Sequence, residues 1–211
     1  MSYQDYQNYK NARDEAWRIL IDCNINRLPV NLNLICKTLK IRVLSYGDAS
    51  HLIKSHRLSN ITASMDGLTF FVENVPVILY NEACIPGRIR FTIGHEIGHI
   101  ILGHVQPGMV TISNRDPTPN DDPHETAANQ VAARILAPAC VLWGLNLHKP
   151  EEIAQVCNIS KQAATFRSER MDILYQRSMF LTSTLEHKVY EQFLPFIKEF
   201  RNPSLGAHSL K

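Results

Sequence analysis

The sequence lacks the usual signatures of secreted and membrane-spanning proteins, and it lacks the strong positive charge typical of nucleic-acid-binding surfaces. Its five cysteines are odd in number, widely scattered and without the paired spacing of a thiolate metal site: Cys23, Cys36, Cys84, Cys140 and Cys157. We therefore expect reduced, mostly buried thiols, as in a cytoplasmic protein, rather than a disulfide framework.

Long apolar runs and runs of like charge are also absent. No apolar run approaches the roughly 20 residues that cross a bilayer, and the polar, acid-containing N-terminal stretch MSYQDYQNYK does not match a secretory signal. The formal net charge of +2 over 211 residues predicts neither a nucleic-acid surface nor a membrane surface. We expect a cytoplasmic globular protein with one core, or one core and a small appended unit.

The pattern of apolar residues predicts an α+β fold. Three β-rich runs, residues 41–46, 68–72 and 77–80, predict a small, mainly antiparallel sheet, with 77–80 as an edge strand open to an extended substrate segment. Prolines and turn residues predict a loop over 105–123. Helices are predicted at residues 6–23, after Asn31, at 86–104, at 122–137 and over most of the chain beyond Pro150.

Residues 90–104, RFTIGHEIGHIILGH, carry the pattern of a metal-binding helix. His95 and His99 are four apart, so on a helix both imidazoles can point at one divalent metal ion. Glu96 is rotated about 100° from His95, which keeps it out of the ligand set but near enough to take a proton from a water held by the metal. The pattern therefore predicts Glu96 as the general base.

The same helix has an apolar side and a ligand side. The apolar stripe expected to pack on the sheet consists of Ile93, Ile97, Ile100 and Ile101. Gly98 lies on the ligand side, although glycine in a helix interior costs about 1 kcal/mol relative to alanine. Its lack of a side chain gives another element room to approach the metal.

A hydrolytic Zn²⁺ site needs three protein ligands and an open position for water. The downstream candidates for the third ligand are Asp116, Asp121, Asp122, His124 and Glu125. Asp121 and Asp122 are better explained as N-terminal caps of the next helix. His124 is expected to point into solvent.

Glu125 is the favoured third ligand because of its position on that helix. It shares a face with the small residues Ala128 and Ala132, which let the helix lie close to Gly98. His104 is expected to be a hydrogen-bonded structural histidine. Asn129, one turn after Glu125, could hold the Glu125 carboxylate in place or make a simple helix contact, and both interpretations stay open. The predicted Zn²⁺ ligands are His95, His99 and Glu125.

These segments together resemble a known family. RFTIGHEIGHIILGH followed by HETAANQVAARILAP is similar to the zinc-dependent peptidases of the ImmA/IrrE family, and LPVNLNLICKTLKIRVLSY and VILYNEACIPGRIRFTIGHE resemble that family too. The resemblance spans residues 12–140. At Ala127 many members carry a second acid, and Val131 replaces a common phenylalanine, but neither departure touches the ligands.

The resemblance implies a minimal zincin-like fold, with His95, His99 and Glu125 as ligands and Glu96 as the catalytic residue. It also implies an intracellular endopeptidase that inactivates helix-turn-helix repressors of mobile elements or stress regulons. We predict a metallopeptidase domain over residues 1–148 and a C-terminal helical region over 149–211.

The C-terminal region contains a second motif, EEIAQVCNISKQAATFRSERM, residues 151–171. It has the spacing of a helix-turn-helix, with a turn near Asn158 and Ser160 as the next N-cap. The alternative is a helical hairpin that packs on the peptidase or holds the substrate. That alternative is favoured over direct DNA binding, because Lys161, Arg167 and Arg170 lie beside Glu169 in a nearly neutral chain.

Two other function classes remain as alternatives. One is a non-enzymatic DNA-binding or repressor-sequestering regulator with a structural metal, but such a site needs no base at Glu96 and usually has a fourth Cys or His ligand. The other is a non-haem Fe(II) enzyme, whose metal is also held by two histidines and a carboxylate. The adjacent Glu96 disfavours it as well.

Overall fold

The computed structural model describes residues 3–110 and 122–202. It contains α1 (Tyr3–Asp22), α2 (Leu32–Thr38), β1 (Arg42–Ser45), α3 (Ser50–Ser55), α4 (Ser59–Thr62), β2 (Gly67–Val72), β3 (Val75–Tyr80), α5 (Pro86–Ile101), α6 (Pro123–Leu136), α7 (Ala139–Leu145), α8 (Pro150–Cys157), α9 (Lys161–Gln176) and α10 (Thr184–Arg201). These elements confirm the predicted α+β class. Among the described residues, no helix combines the length and apolarity that a bilayer crossing requires.

The chain divides into two compact units. The first consists of Met1–Ala16 with Leu32–Ala132, and the second of Trp17–Asn31 with Ala133–Lys211. The first unit contains the sheet and the helix with the two metal-directed histidines. The division between residues 148 and 149 stays a prediction.

The sheet of the first unit has three strands in the order β1-β3-β2. β2 and β3 pair antiparallel across a tight turn in which Glu73 and Asn74 both have positive φ, as hairpins of this kind require. β1 runs parallel to β3, with Arg42 opposite Val77. The sheet is therefore mixed, with one pair of strands of each kind.

The strand order corrects one sequence-based prediction. Residues 77–80 belong to β3, which is the central strand and not an edge, because β1 and β2 pair with its two sides. The edge strands are β1 and β2. On the outer side of β2, Phe70 forms an isolated antiparallel bridge with Val110.

The two faces of the sheet pack on different elements. Because side chains alternate along a strand, one face contributes Leu68, Phe70, Val77 and Leu79 to a buried cluster with Ala49, Ile53 and Leu58. The opposite face carries Thr69 and its partner across the ladder, Ile78, both fully buried. Helix α5 packs against β2 and β3.

Helix α5 begins at Pro86. Proline suits the first position of a helix because the N–H that it lacks would have no partner within the helix there. Its predicted apolar stripe is only partly correct: Ile97 is buried, but Ile93, Ile100 and Ile101 are half-buried. The helix is enclosed on more than one side, so polar residues are buried too. Thr92 comes so close to Gly67 of β2 that a side chain on Gly67 would collide with it.

The second unit contains the helix-turn-helix-like segment. Helix α8 ends at Asn158 in a left-handed conformation (φ 52°), and Ser160 caps α9 by accepting a hydrogen bond from the Ala163 N–H. Both features agree with the predicted turn and cap. Arg167 is buried and Lys161 lies 3.5 Å from the Glu151 carboxylate. Arg167 therefore does not contribute to an exposed basic face of α9.

Candidate metal centre

One turn of α5 brings the first two predicted ligands together. His95 and His99 are both buried, and their Nε2 atoms are 2.9 Å apart. Each imidazole thus presents the same atom to a common point. That is the arrangement which the four-residue spacing predicts.

The third predicted ligand comes from α6, which packs closely on α5 at Gly98. A Cβ atom on Gly98 would lie 3.0 Å from the Ala128 Cα and carbonyl oxygen, and 3.3 Å from the Val131 Cβ. This contact places Glu125 beside both imidazoles. Its Oε2 lies 3.2 Å from His95 Nε2, and its Oε1 lies 3.1 Å from His99 Nε2.

The donor set fits a zinc ion. Two imidazole nitrogens and a carboxylate oxygen are the ligands of many catalytic zinc sites, and the candidate ligand atoms lie within 4.8 Å of one another. Ligands bonded at tetrahedral zinc are separated by about 3.3 Å. Here the two imidazole nitrogens are 2.9 Å apart, and each of them lies 3.1 or 3.2 Å from a different oxygen of Glu125. The three side chains are therefore close enough to share one metal ion.

The other candidates for the third ligand either have different roles or lie outside the described residues. Asp122 caps α6, accepting a hydrogen bond of 2.8 Å from the His124 N–H, as expected. His124 is exposed, and its ring stacks on that of His104 with centroids 4.3 Å apart. Asp116 and Asp121 lie outside the described residues.

Each histidine is oriented by a hydrogen bond at its other nitrogen. The Nδ1 of His95 lies 2.8 Å from Asn129 Oδ1, which can only accept, so the proton of His95 belongs on Nδ1. The Nδ1 of His99 lies 3.1 Å from the Nδ1 of His104. Both contacts leave Nε2 for a metal, because a hydrogen bond at one ring nitrogen of a metal-binding histidine commonly fixes the orientation of the other. Asn129 therefore contacts the ring of His95, which is neither of the two roles considered from the sequence, a contact with the carboxylate and a simple helix contact.

The end of α5 explains why His104 reaches His99. The His104 N–H donates to the His99 carbonyl (2.9 Å) and the Gly103 N–H to the Ile100 carbonyl (3.1 Å), which together form a Schellman motif. This ending requires the left-handed conformation of Gly103, whose φ is 71°. Burial, with the charges of His99 and His124, lowers the pKa of His104 to about 4.

The charges in the site favour a cation. Burial raises the pKa of Glu125, but hydrogen bonds with His95 and His99 outweigh this effect and hold the pKa well below its usual range. For His95, burial lowers the pKa, whereas Glu125, Glu96 and Asn129 raise it, and the net shift is upward. The carboxylates thus favour positive charge at the position that a metal ion would occupy.

The predicted general base lies next to this cluster. Glu96 is fully buried, and its Oε2 accepts a hydrogen bond of 2.6 Å from Thr69 Oγ1 on β2. Sequence reasoning did not identify Thr69. A signal was present, because Thr69 is the one hydroxyl residue in the strand GLTFFV, but which face of the strand meets α5 is not encoded locally.

We expect the two orienting residues to contribute to metal affinity. Asn129→Ala and His104→Ala should each weaken Zn²⁺ binding by about 10- to 100-fold, because each removes the hydrogen bond that fixes an imidazole ring. Competition with a chromophoric chelator measures this affinity. His51→Ala, which removes an exposed histidine, serves as the control. Unchanged affinity in both variants would show that the rings are held by other contacts.

We also expect Gly98 to be intolerant of a side chain. Gly98→Ala should lower the free energy of unfolding, because forcing a methyl group against Ala128 costs about 1–3 kcal/mol, whereas alanine's better helix propensity returns about 1 kcal/mol. Urea unfolding measures the difference. A more stable variant would contradict the close approach of α5 and α6.

The fold and the site together indicate a class of protein. A His-Glu-x-x-His helix on a small sheet, with a carboxylate from the following helix beside both histidines, is the arrangement of a zincin-like metallopeptidase. Comparison with protein families matches residues 36–169 to the IrrE N-terminal-like domain of the Peptidase M78 family. A search of curated proteins finds no significant match. Because the matched segment exceeds half of the chain, the protein belongs to this peptidase family, as the resemblance to the ImmA/IrrE peptidases led us to expect.

Proposed function

We propose that the protein is a zinc-dependent endopeptidase in which Glu96 is the general base and His95, His99 and Glu125 hold the metal. The observation that carries this proposal is a fully buried glutamate beside a convergent His-His-Glu cluster. A structural metal site needs no carboxylate beside its ligands, and it usually has a fourth Cys or His ligand instead. The same reasoning disfavours the non-haem iron alternative.

Each residue of the site has a separate role in the proposed hydrolysis. When bound, zinc would polarise the scissile carbonyl and activate a water molecule. Glu96 takes the proton of the attacking water and can return it to the leaving amine. Asn129 and His104 hold the rings of His95 and His99 by the contacts described above. The burial of both histidines limits the access of bulk water.

The substrate is a protein segment in extended conformation. β3 cannot receive it, since both of its sides are paired. We place the segment instead along β2, the edge strand that carries Thr69 and therefore lies next to Glu96. There it would take the place of Val110 in the bridge to Phe70. Strand addition supplies backbone hydrogen bonds without regard to sequence, so specificity must come from contacts elsewhere on the substrate.

The proposed substrate is a helix-turn-helix transcriptional repressor of a mobile element or stress regulon, cleaved in the cytoplasm. The support is the resemblance to the ImmA/IrrE peptidases. The described part of the C-terminal region, residues 149–202, offers a surface for holding the folded part of the repressor. On α9, Phe166 is 60% exposed and Ile173 is 37% exposed, and these two apolar side chains are seven residues apart on one helix face.

A non-enzymatic DNA-binding or repressor-sequestering regulator is the second candidate. It is favoured only by the helix-turn-helix-like geometry of α8 and α9. The burial of Arg167 and the ion pair of Lys161 with Glu151 leave α9 poorly equipped for phosphate contacts. For this reason we favour the peptidase.

The test is to incubate the protein with a helix-turn-helix repressor chosen from the genes adjacent to its own, with and without a chelator, and to map the products by mass spectrometry. We expect one chelator-sensitive cut. Phe166→Ala should slow this cut while leaving metal content unchanged. An intact repressor bound tightly by the protein would support sequestration, and equal cleavage of unrelated unfolded proteins would contradict repressor specificity.

A further inference from the structure

The hydroxyl of Thr69 donates a hydrogen bond to one carboxylate oxygen of Glu96, the proposed general base. Thr69 Oγ1 lies 2.6 Å from Glu96 Oε2, and both side chains are fully buried. We propose that Thr69 is a positioning residue that sets the orientation of the Glu96 carboxylate for proton transfer. This proposal rests on the proposed function, because it concerns the rate of hydrolysis.

The position of Thr69 follows from the sheet. Strand alternation directs Leu68 and Phe70 into the apolar cluster on one face, so Thr69 points to the opposite face, toward α5. Helix α5 comes very close to this strand, since Gly67 leaves room for Thr92. Thr92 and Glu96 are one turn apart, so the same close approach brings the Glu96 carboxylate to the Thr69 hydroxyl.

A hydroxyl suits this task for two reasons. A buried carboxylate oxygen without a hydrogen bond is costly, and the short contact with Thr69 removes that cost while fixing the rotation of the carboxylate. A threonine hydroxyl can also donate to a carboxylate and accept from a carboxylic acid. It can therefore hold Glu96 before and after the proton is transferred, which a donor-only partner such as lysine cannot do.

The competing explanation is that Thr69 only stabilises the packing of α5 on β2. Thr92 provides the matched control, because it is a buried threonine in the same interface and contacts Gly67 of the same strand. A purely structural threonine should respond alike at both positions. Thr69→Val keeps the shape and removes the hydroxyl, and Thr69→Ser keeps the hydroxyl.

The experiment measures kcat and KM for repressor cleavage together with zinc content and the urea midpoint. We expect Thr69→Val to lower kcat by about 10- to 100-fold, with little change in KM or zinc content. Thr69→Ser should restore most of kcat, and Thr92→Val should keep it. In a Glu96→Gln background, Thr69→Val should produce no further loss, because the group that it positions is already inactive.

Several results would overturn the proposal. One such result is an unchanged kcat in Thr69→Val. Another is an equal loss of kcat in Thr69→Ser and Thr69→Val. A third is that Thr69→Val lowers kcat by the same factor in the Glu96→Gln background as in the wild type. If Thr69→Val does not fold, Thr69→Ala replaces it as the variant without a hydroxyl. Its kcat is then compared with that of Thr69→Ser. An active Glu96→Gln variant would instead refute the proposed function, and the role of Thr69 with it, so the two failures are distinguishable.

Discussion

Replacing Glu96 by Gln is expected to lower the rate of hydrolysis by about 10²- to 10⁴-fold. The amide keeps the size of the carboxylate, and its carbonyl oxygen can still accept the hydrogen bond from Thr69 Oγ1. It cannot accept the proton of the attacking water. The metal content and the urea midpoint should therefore stay near the wild-type values while turnover is lost.

The control for this variant is Glu73→Gln, which makes the same chemical change at an exposed position in the turn between β2 and β3. That variant should retain full activity. Repressor cleavage by equal amounts of metal-loaded protein provides the measurement. Wild-type turnover by Glu96→Gln would remove Glu96 from the mechanism.

The second large effect is expected at the three proposed metal ligands. Purified wild-type protein should contain close to one Zn²⁺ ion per chain, and each of His95→Ala, His99→Ala and Glu125→Ala should lose most of it. Zinc bound through three ligands from two helices is held tightly because the folded chain brings the ligands together before binding. Removing one ligand leaves only two of the converging atoms described above.

Elemental analysis by mass spectrometry gives the zinc content. His51→Ala is the histidine control, because this side chain is exposed and lies outside the cluster. The variants should also unfold at lower temperature than the wild type when zinc is present, since only the wild type gains stability from the bound ion. Full occupancy in all three ligand variants would contradict the assignment.

The convergence of His95, His99 and Glu125 could be predicted from the sequence because most of its geometry follows from helical spacing. The spacing of His95 and His99 is fixed by the helix, and the phase of the next helix separates Glu125 from the neighbouring acids. The small residues indicated where the two helices approach each other, and Ala128 does pack directly on Gly98. Predicting the cluster required only the helical phase of α5 and α6 and the close contact between Gly98 and Ala128. The residue types indicate both.

The errors concern arrangements that no local pattern encodes. Residues 77–80 were predicted as an edge strand, but β1 joins the sheet on the far side of β3. That pairing links segments about thirty-five residues apart in the sequence, and alternation says nothing about which strand lies between two others.

The packing of α5 was misjudged for a related reason. Its isoleucines suggested one apolar face, whereas polar Thr92 and Glu96 are also buried, against β2. A hydrophobic stripe identifies a buried face only when the opposite face is in solvent. A helix enclosed on several sides can bury polar groups that pair with each other, and the Thr69–Glu96 hydrogen bond is such a pair.

The most direct test of the metal site is anomalous diffraction at the zinc absorption edge from crystals of the protein. We predict one strong peak within about 2.0–2.2 Å of His95 Nε2, His99 Nε2 and a Glu125 oxygen, with the Glu96 carboxylate outside the ligand set. A peak coordinated by other residues, or no peak between these three side chains in zinc-containing crystals, would contradict it.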